Sequence, residues 1–304
     1  MQKKFKTKKR KKSNITYISF FLIIIFISSH LTYNIIYVSY LSKLSNKEII
    51  NHIIENTKNN KSSNNILEQY KNPNVILNNN FNIIEKPSIE VENTTIPPTV
   101  YIYSTHETEG YQDKYLEIYN IKPTVKTISY VLQDYLNDYG INTIVEDKSI
   151  TEILRMNNWS YKYSYEASRI AIKDTINNNK TLKLIIDLHR DSSNLSKTLL
   201  ETDTNKYARI LFVIGKENKN YQENLKISET LNNLLNQEIP NITRGIITKE
   251  GAGVNGIYNQ DLSNKSILIE LGGQYNEIEE LNNTLQILSK VILKYLEGEQ
   301  WKTI

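Results

Sequence analysis

The sequence predicts an α/β fold over residues 99–304: a single open, mostly parallel sheet flanked by helices. Two observations predict it. After Pro98, short aliphatic runs alternate with longer stretches whose apolar residues recur at helical spacing. Turn formers bound those runs, and strands alternating with helices bury both faces of one sheet through crossover connections.

The elements follow in chain order. TVYIYSTH, ending at His106, reads as a strand that opens into a polar loop. KTISYVLQDYLNDYG has helical spacing and stops at Gly140, a residue suited to a helix end. INTIVED reads as a strand, and YKYSYEASRIAIKDTINNN as a helix with Ile170 and Ile172 in its middle. LKLIIDLH and ARILFVIG are strands, NLKISETLNNLLNQ a helix, KSILIELGG a strand, and EIEELNNTLQILSKVILKYLEG a closing amphipathic helix. No internal repeat is present.

Ligands of open α/β sheets bind beyond the carboxyl ends of the strands. The first strand is followed by His106-Glu107-Thr108-Glu109 and the third ends in His189-Arg190-Asp191, while Glu270 lies within the last. The chain has 4 histidines, and only His106 and His189 fall in this domain. Each alone suits a hydrogen-bonded structural role. At the same end of one sheet and beside carboxylates, they point to a metal.

Zinc takes imidazoles and a carboxylate, leaving one position open when it serves hydrolysis. His106 and His189 supply the imidazoles, and Glu109, on a loop that can curl back, is the expected third ligand. Glu107 points away if strand geometry persists. Asp187 leaves the strand on the same face as His189 and can orient it, or it faces a neighbouring helix terminus. Glu270 is costly to bury in an aliphatic strand unless paired or employed. It is the expected general base, the alternative being an ion pair with a buried Arg. Arg190 can hold a carboxylate with its planar fork, or pair with Asp191 and fix the loop.

Other chemistries fit less well. The chain has no Cys, which excludes disulfides, thiolate metal sites and a Cys nucleophile. His-Arg-Asp also opens the kinase catalytic loop, but HRDSSNLSK lacks the rest of that pattern, and no D-F-G or glycine-rich loop accompanies it. No G-x-S-x-G elbow is present for a Ser nucleophile.

The N-terminal third is organised differently. The net charge of +4 is misleading, because MQKKFKTKKRKK carries eight basic residues and no acid. The remainder is mildly acidic, so a nucleic-acid partner is not expected. Ser13 to Ser42 contains no charged residue and is long enough to cross a bilayer. Tyr17, Tyr33, Tyr37 and Tyr40 suit its interfaces. The expected organisation is a basic cytoplasmic tail (1–14), an uncleaved transmembrane anchor (15–42), a polar linker (43–98) and the domain (99–304) outside the cell membrane. A cleaved signal peptide is the alternative. The linker reads as a flexible spacer; Leu44 to Tyr70 can be partly helical, but its apolar positions are too sparse for a core.

The residues resemble a known family. YIYSTHETEGY and IIDLHRDS are similar to signature stretches of the stage II sporulation protein P family, and ARILFVIG, RGI, YNQDLS and ILIELGG recur in its order. The resemblance runs from about Thr99 to Leu296. It implies an amidase-like fold and a zinc-dependent N-acetylmuramoyl-L-alanine amidase acting on peptidoglycan during forespore engulfment, with peptide cross-links as a further substrate. It also implies two partners: a lytic transglycosylase, stage II sporulation protein D, and a membrane scaffold, stage II sporulation protein M. Carried onto this chain, His106, His189 and Glu109 look like zinc ligands and Glu270 like the catalytic carboxylate. Asn259 and Gln260 bind the stem peptide or only shape a turn. Two departures stand out: Ser104 replaces a family His, and Gly110 replaces a Ser after Glu109. Two rivals stay open, a zinc peptidase acting only on cross-links and a non-catalytic module binding cell wall or a partner protein.

Overall fold

The computed structural model describes residues 45, 47, 48, 50, 51, 54, 55, 96–112 and 123–300, without the side chains of the last two. All of these except Ser45 belong to one compact unit, Asn46–Ile304. The expected tail and anchor lie outside the described residues, as does most of the expected linker. Among the described residues no helix is long and apolar enough to cross a membrane.

Six strands form the main sheet: β1 (Val100–Tyr103), β2 (Thr143–Val145), β3 (Leu184–Asp191), β6 (Ile210–Gly215), β7 (Thr243–Lys249) and β8 (Ser266–Gly273). Their order is β2-β1-β3-β8-β6-β7. Neighbours are parallel except β6 and β8, so the sheet is mixed but mostly parallel, as expected. The central strands are continuous aliphatic runs because both faces are covered. A separate hairpin, β4 (Leu199–Glu201) with β5 (Lys206–Ala208), entered through the one-turn helix α4 (Leu195–Thr198), was not expected from the sequence. Nor were β7 and the helix α2 (Ile150–Met156), whose runs are short or weakly apolar.

One face packs against α1 (Val125–Asp138), α5 (Tyr221–Glu238) and α6 (Ile278–Gln300). Thr124 caps α1 by accepting from the Thr127 N–H, and Val125, Ile128, Val131, Leu132 and Leu136 form its buried stripe. In α6, Leu281, Leu285, Leu288 and Ile292 repeat the same spacing. Each such side chain, fully buried, contributes about 1.5–3 kcal/mol. The other face packs Tyr101, Tyr103 and Ile185 against α2 and α3 (Ser164–Asn178), where Ala167 and Ala171 let the helix approach closely. Ile172 is buried there, but Ile170 is exposed: residues two apart on a helix cannot share its inner face.

The spacer expectation needs correction. Lys47, Glu48, Ile50, Asn51, Ile54 and Glu55 are helical, and Ile50 and Ile54 belong to the main core. The Lys47 backbone N–H donates to Asp134 at 2.9 Å, and Asn282 donates to Asn51 at 3.0 Å. Two isoleucines one turn apart suffice to dock a short helix where α1 and α6 leave a groove for them.

Candidate active site

Alternation places Asp187 and His189 of β3 and Glu270 of β8 on the α3 side of the sheet. His189 stands directly opposite Glu270 in the β3–β8 register. β1 ends at Tyr103, and the loop after it brings in His106. The rings of His106 and His189 meet edge to face, 5.2 Å between centroids. Glu109 completes the group, its Oε2 lying 3.6 Å from His189 Nδ1, an ion-pair contact rather than a hydrogen bond. The four expected residues, far apart in the chain, therefore share one site.

The loop carrying His106 is held from two directions. Asp187 is buried and accepts from the Thr105 N–H at 2.9 Å and the Thr105 hydroxyl at 2.8 Å. It also lies 3.0 Å from His189 Nε2, close but not aligned as a hydrogen bond. Asp187 thus touches both His-bearing segments, in keeping with an orienting role. Glu107 points away from the site, as expected. It accepts from the Ser149 hydroxyl at 2.6 Å and the Thr151 N–H at 2.8 Å at the start of α2, and pairs with Lys126.

Electrostatics divides the four residues. Burial and the neighbouring His189 lower the pKa of His106. Burial opposes the charged form of His189, but Asp187 and Glu109 outweigh it and hold its pKa well above the ordinary value. Burial also acts against Glu109, yet its contact with His189 leaves the net shift downward. Glu270 is different: burial, with Glu109 and Asp191 nearby, raises its pKa to about 7 despite the His189 charge. A carboxyl poised there can exchange a proton at neutral pH.

The donor set fits a divalent ion such as zinc in kind, with two imidazoles and a carboxylate side by side. His106 Nδ1 and Glu270 Oε2 are buried without hydrogen-bond partners, the condition of atoms awaiting one, whereas His189 Nε2 faces the Asp187 carboxylate at 3.0 Å. Among the described residues, no group of three or more His, Asp or Glu side chains is placed to hold a metal ion as it stands.

Three residues expected near a substrate have other partners within the protein. Gln260 is buried, accepting from the Gly215 N–H at 3.0 Å and donating to the Val213 carbonyl at 2.9 Å, so its amide braces β6 instead of facing a substrate. Asn259 likewise donates to the Tyr165 carbonyl and the Ser168 hydroxyl, both at 2.9 Å. Arg190 does not pair with the Asp191 carboxylate; its Nε donates to the Gly110 carbonyl at 2.8 Å and its Nη1 to the Asp191 carbonyl at 3.3 Å. Asp191 instead forms its ion pair with Arg244.

Tyrosines that the sequence reading passed over surround the histidines. Tyr161 stacks on His106 at 4.7 Å, and Tyr165 lies edge-on to His106 at 5.6 Å and stacked with His189 at 6.4 Å. Tyr258 closes on Tyr165 at 5.4 Å from a left-handed backbone conformation shared with Asn259. The four-residue spacing of Tyr161 and Tyr165 was the available signal, since it puts both on one helical face. A cleft of about 320 Å³, lined in part by Trp159, Tyr161, Leu154 and Thr108, opens beside His106.

Comparison with known proteins adds a family. The sequence model of stage II sporulation protein P matches residues 24–293. Stage II sporulation protein P of Bacillus subtilis (strain 168) is 33% identical over 234 residues, which cover 71% of this chain and 58% of that protein. This chain therefore spans little more than half the length of that relative. Among solved structures, the CwlD amidase from Clostridioides difficile, in complex with the GerS lipoprotein, is 15% identical with a TM-score of 0.42, covering 66% of this chain and 99% of that one. An N-acetylmuramoyl-L-alanine amidase from Clostridium difficile 630 is 16% identical with a TM-score of 0.37, covering 66% and 97%. TM-scores of this size do not establish a shared fold.

Proposed function

Because this chain belongs to the stage II sporulation protein P family, we propose that it is a zinc-dependent peptidoglycan hydrolase cleaving the amide between N-acetylmuramic acid and L-Ala. Its place is the cell membrane, anchored by residues 15–42 with the domain on the wall side. Its task is forespore engulfment alongside stage II sporulation proteins D and M. The observation that carries the reading is the meeting of the half-buried His106 and buried His189 imidazoles with Glu109 and with a Glu270 able to exchange a proton near neutral pH.

His106, His189 and Glu109 would hold the zinc, which supplies polarisation of the amide carbonyl and a lower pKa for water. Glu270 takes the proton of the attacking water and returns it to the leaving amine, a transfer suited to its pKa of about 7. Asp187 fixes His189 from behind while tying down the Thr105–His106 segment. Tyr161 and Tyr165 wall the imidazoles and limit their access to bulk water.

The test is mass spectrometry of products from purified peptidoglycan, with and without chelator. Free stem peptides beginning at L-Ala, lost on chelation and restored by zinc, are the expected result. Stem peptides still joined to muramic acid, with cross-links cut, would replace the amidase by a peptidase. Intact wall bound to zinc-loaded protein would replace it by a binding module. Glu270→Gln should keep zinc and lose turnover by about 10²–10⁴-fold.

A further inference from the structure

Arg244 is a largely buried cation that the proposed chemistry does not use. It belongs to β7, where the partner register shifts: Ile210 faces Thr243 but Phe212 faces Ile246. Two residues, Arg244 and Gly245, thus stand against Leu211 alone, a β-bulge made possible by Gly245 at φ +86°. Thr243 is tied to Asn232 and Asn236 of α5 on the far face, which turns Arg244 toward the face carrying the site. Leu211 in turn stands opposite Glu270, and Glu270 opposite His189. One row across four strands therefore reads His189, Glu270, Leu211, Arg244.

The side chain is 13% exposed and held on one side by its ion pair with Asp191, just beyond His189. Asp191 spends its other oxygen on the Ser193 N–H at 2.9 Å. Arg244 Nε is buried without a hydrogen-bond partner. An orphaned guanidinium donor beside a reaction centre is expensive to keep, and its fork matches a carboxylate. Arg190, the other Arg at the site, already directs its Nε at the Gly110 carbonyl and its Nη1 at the Asp191 carbonyl.

The substrate offers such a group on one half only. Once the lactyl carboxyl is amidated the muramoyl half has no carboxylate, whereas the peptide half carries several. The Arg244 guanidinium reaches Asp191 of β3, two residues past His189, which is about 7 Å along the strand. An extended peptide advances about 3.3–3.6 Å per residue, so that distance spans about two residues. We infer that Arg244, braced by Asp191, binds a stem-peptide carboxylate on the second residue beyond the scissile amide. This specificity role rests on the amidase reading above.

The test compares two soluble muramoyl peptides, identical except that one carries a free carboxylate on the second peptide residue and the other carries its amide. Zinc-loaded wild-type protein should favour the free acid in kcat/KM by about ten- to hundredfold. Arg244→Ala should bring that ratio close to one, and Arg244→Lys should retain part of it. A wild type without preference, or an Arg244→Ala protein in which both rates fall while the ratio stands, would overturn the inference and leave Arg244 a brace for Asp191. Should the alanine variant not fold, Arg244→Gln is read the same way. If the wild type cuts neither peptide, the amidase reading fails, and calorimetric binding of the same pair decides on Arg244. Tighter binding of the acid, lost in the variant, supports it; equal affinities overturn it.

Discussion

Glu107→Gln tests how the loop bearing His106 and Glu109 is fastened. Burial works against the Glu107 carboxylate, but Ser149, the Thr151 N–H and Lys126 overcome it and bring its pKa from 4.5 to about 2. At about 1.36 kcal/mol per unit, that depression stabilises the native state by about 3 kcal/mol when the group is ionised. The amide keeps an acceptor for Ser149 and Thr151 and loses the charge, so a loss of about 1–3 kcal/mol is expected at pH 7. The sign follows from the lowered native pKa: the contribution is complete above the unfolded value near 4.5 and disappears as pH falls toward 2. Urea denaturation of wild type and variant at pH 7 and pH 3 should therefore show a gap that shrinks to about two fifths at the lower pH. A gap of equal size at both, or none at pH 7, would refute the account of Glu107 as a charged anchor.

Further expectations concern other parts of the molecule. Ile54→Ala should cost about 2–4 kcal/mol by denaturation, since Ile54 lies in the main core; an exposed spacer residue would cost nothing measurable. Gln260→Leu strands the Gly215 N–H and the Val213 carbonyl and should cost about 2–5 kcal/mol in the same assay. Glu270→Gln should stabilise the metal-free protein, because burial raises the Glu270 pKa to about 7 and penalises its ionised form. That gain should be absent below about pH 4.5, grow as pH rises toward 7, and show as a higher Tm of the variant at pH 8 in chelator. Gly215→Ala should fold poorly, since a Cβ there would overlap the Gly256 carbonyl; soluble, cooperative unfolding of that variant would contradict the packing.

Much of this architecture was legible because burial on both faces writes itself as uninterrupted aliphatic runs. LIIDLHRD and SILIELGG could hardly be anything but central strands, and the histidine and glutamate within them marked the site. TRGIITK was missed because it is an edge strand with a bulge, only partly buried, so its pattern is neither alternating nor continuous. With it went Arg244, which no spacing rule connects to His189. Ile50 and Ile54 were hidden by their polar surroundings: two apolar residues look negligible until the groove they fill is known. Asn259 and Gln260 illustrate the converse: polar residues near a site suggest substrate contacts, yet their amides satisfy backbone groups of β6 and α3.

The position of β8 has a consequence for the life of the protein. Among the described residues it is the last strand in sequence, and yet it lies in the middle of the sheet, between β3 and β6. A chain emerging from the ribosome can pair β2, β1 and β3, and separately β6 with β7, but the two halves have nothing to join them until Ser266–Gly273 arrives. Glu270 comes with that strand. Assembly is therefore governed by contacts distant in sequence, which form slowly, and the strand that closes the sheet is also the one that sets Glu270 opposite His189. A chain cut before Ser266 would lack both the join between the two halves of the sheet and the carboxyl that faces His189.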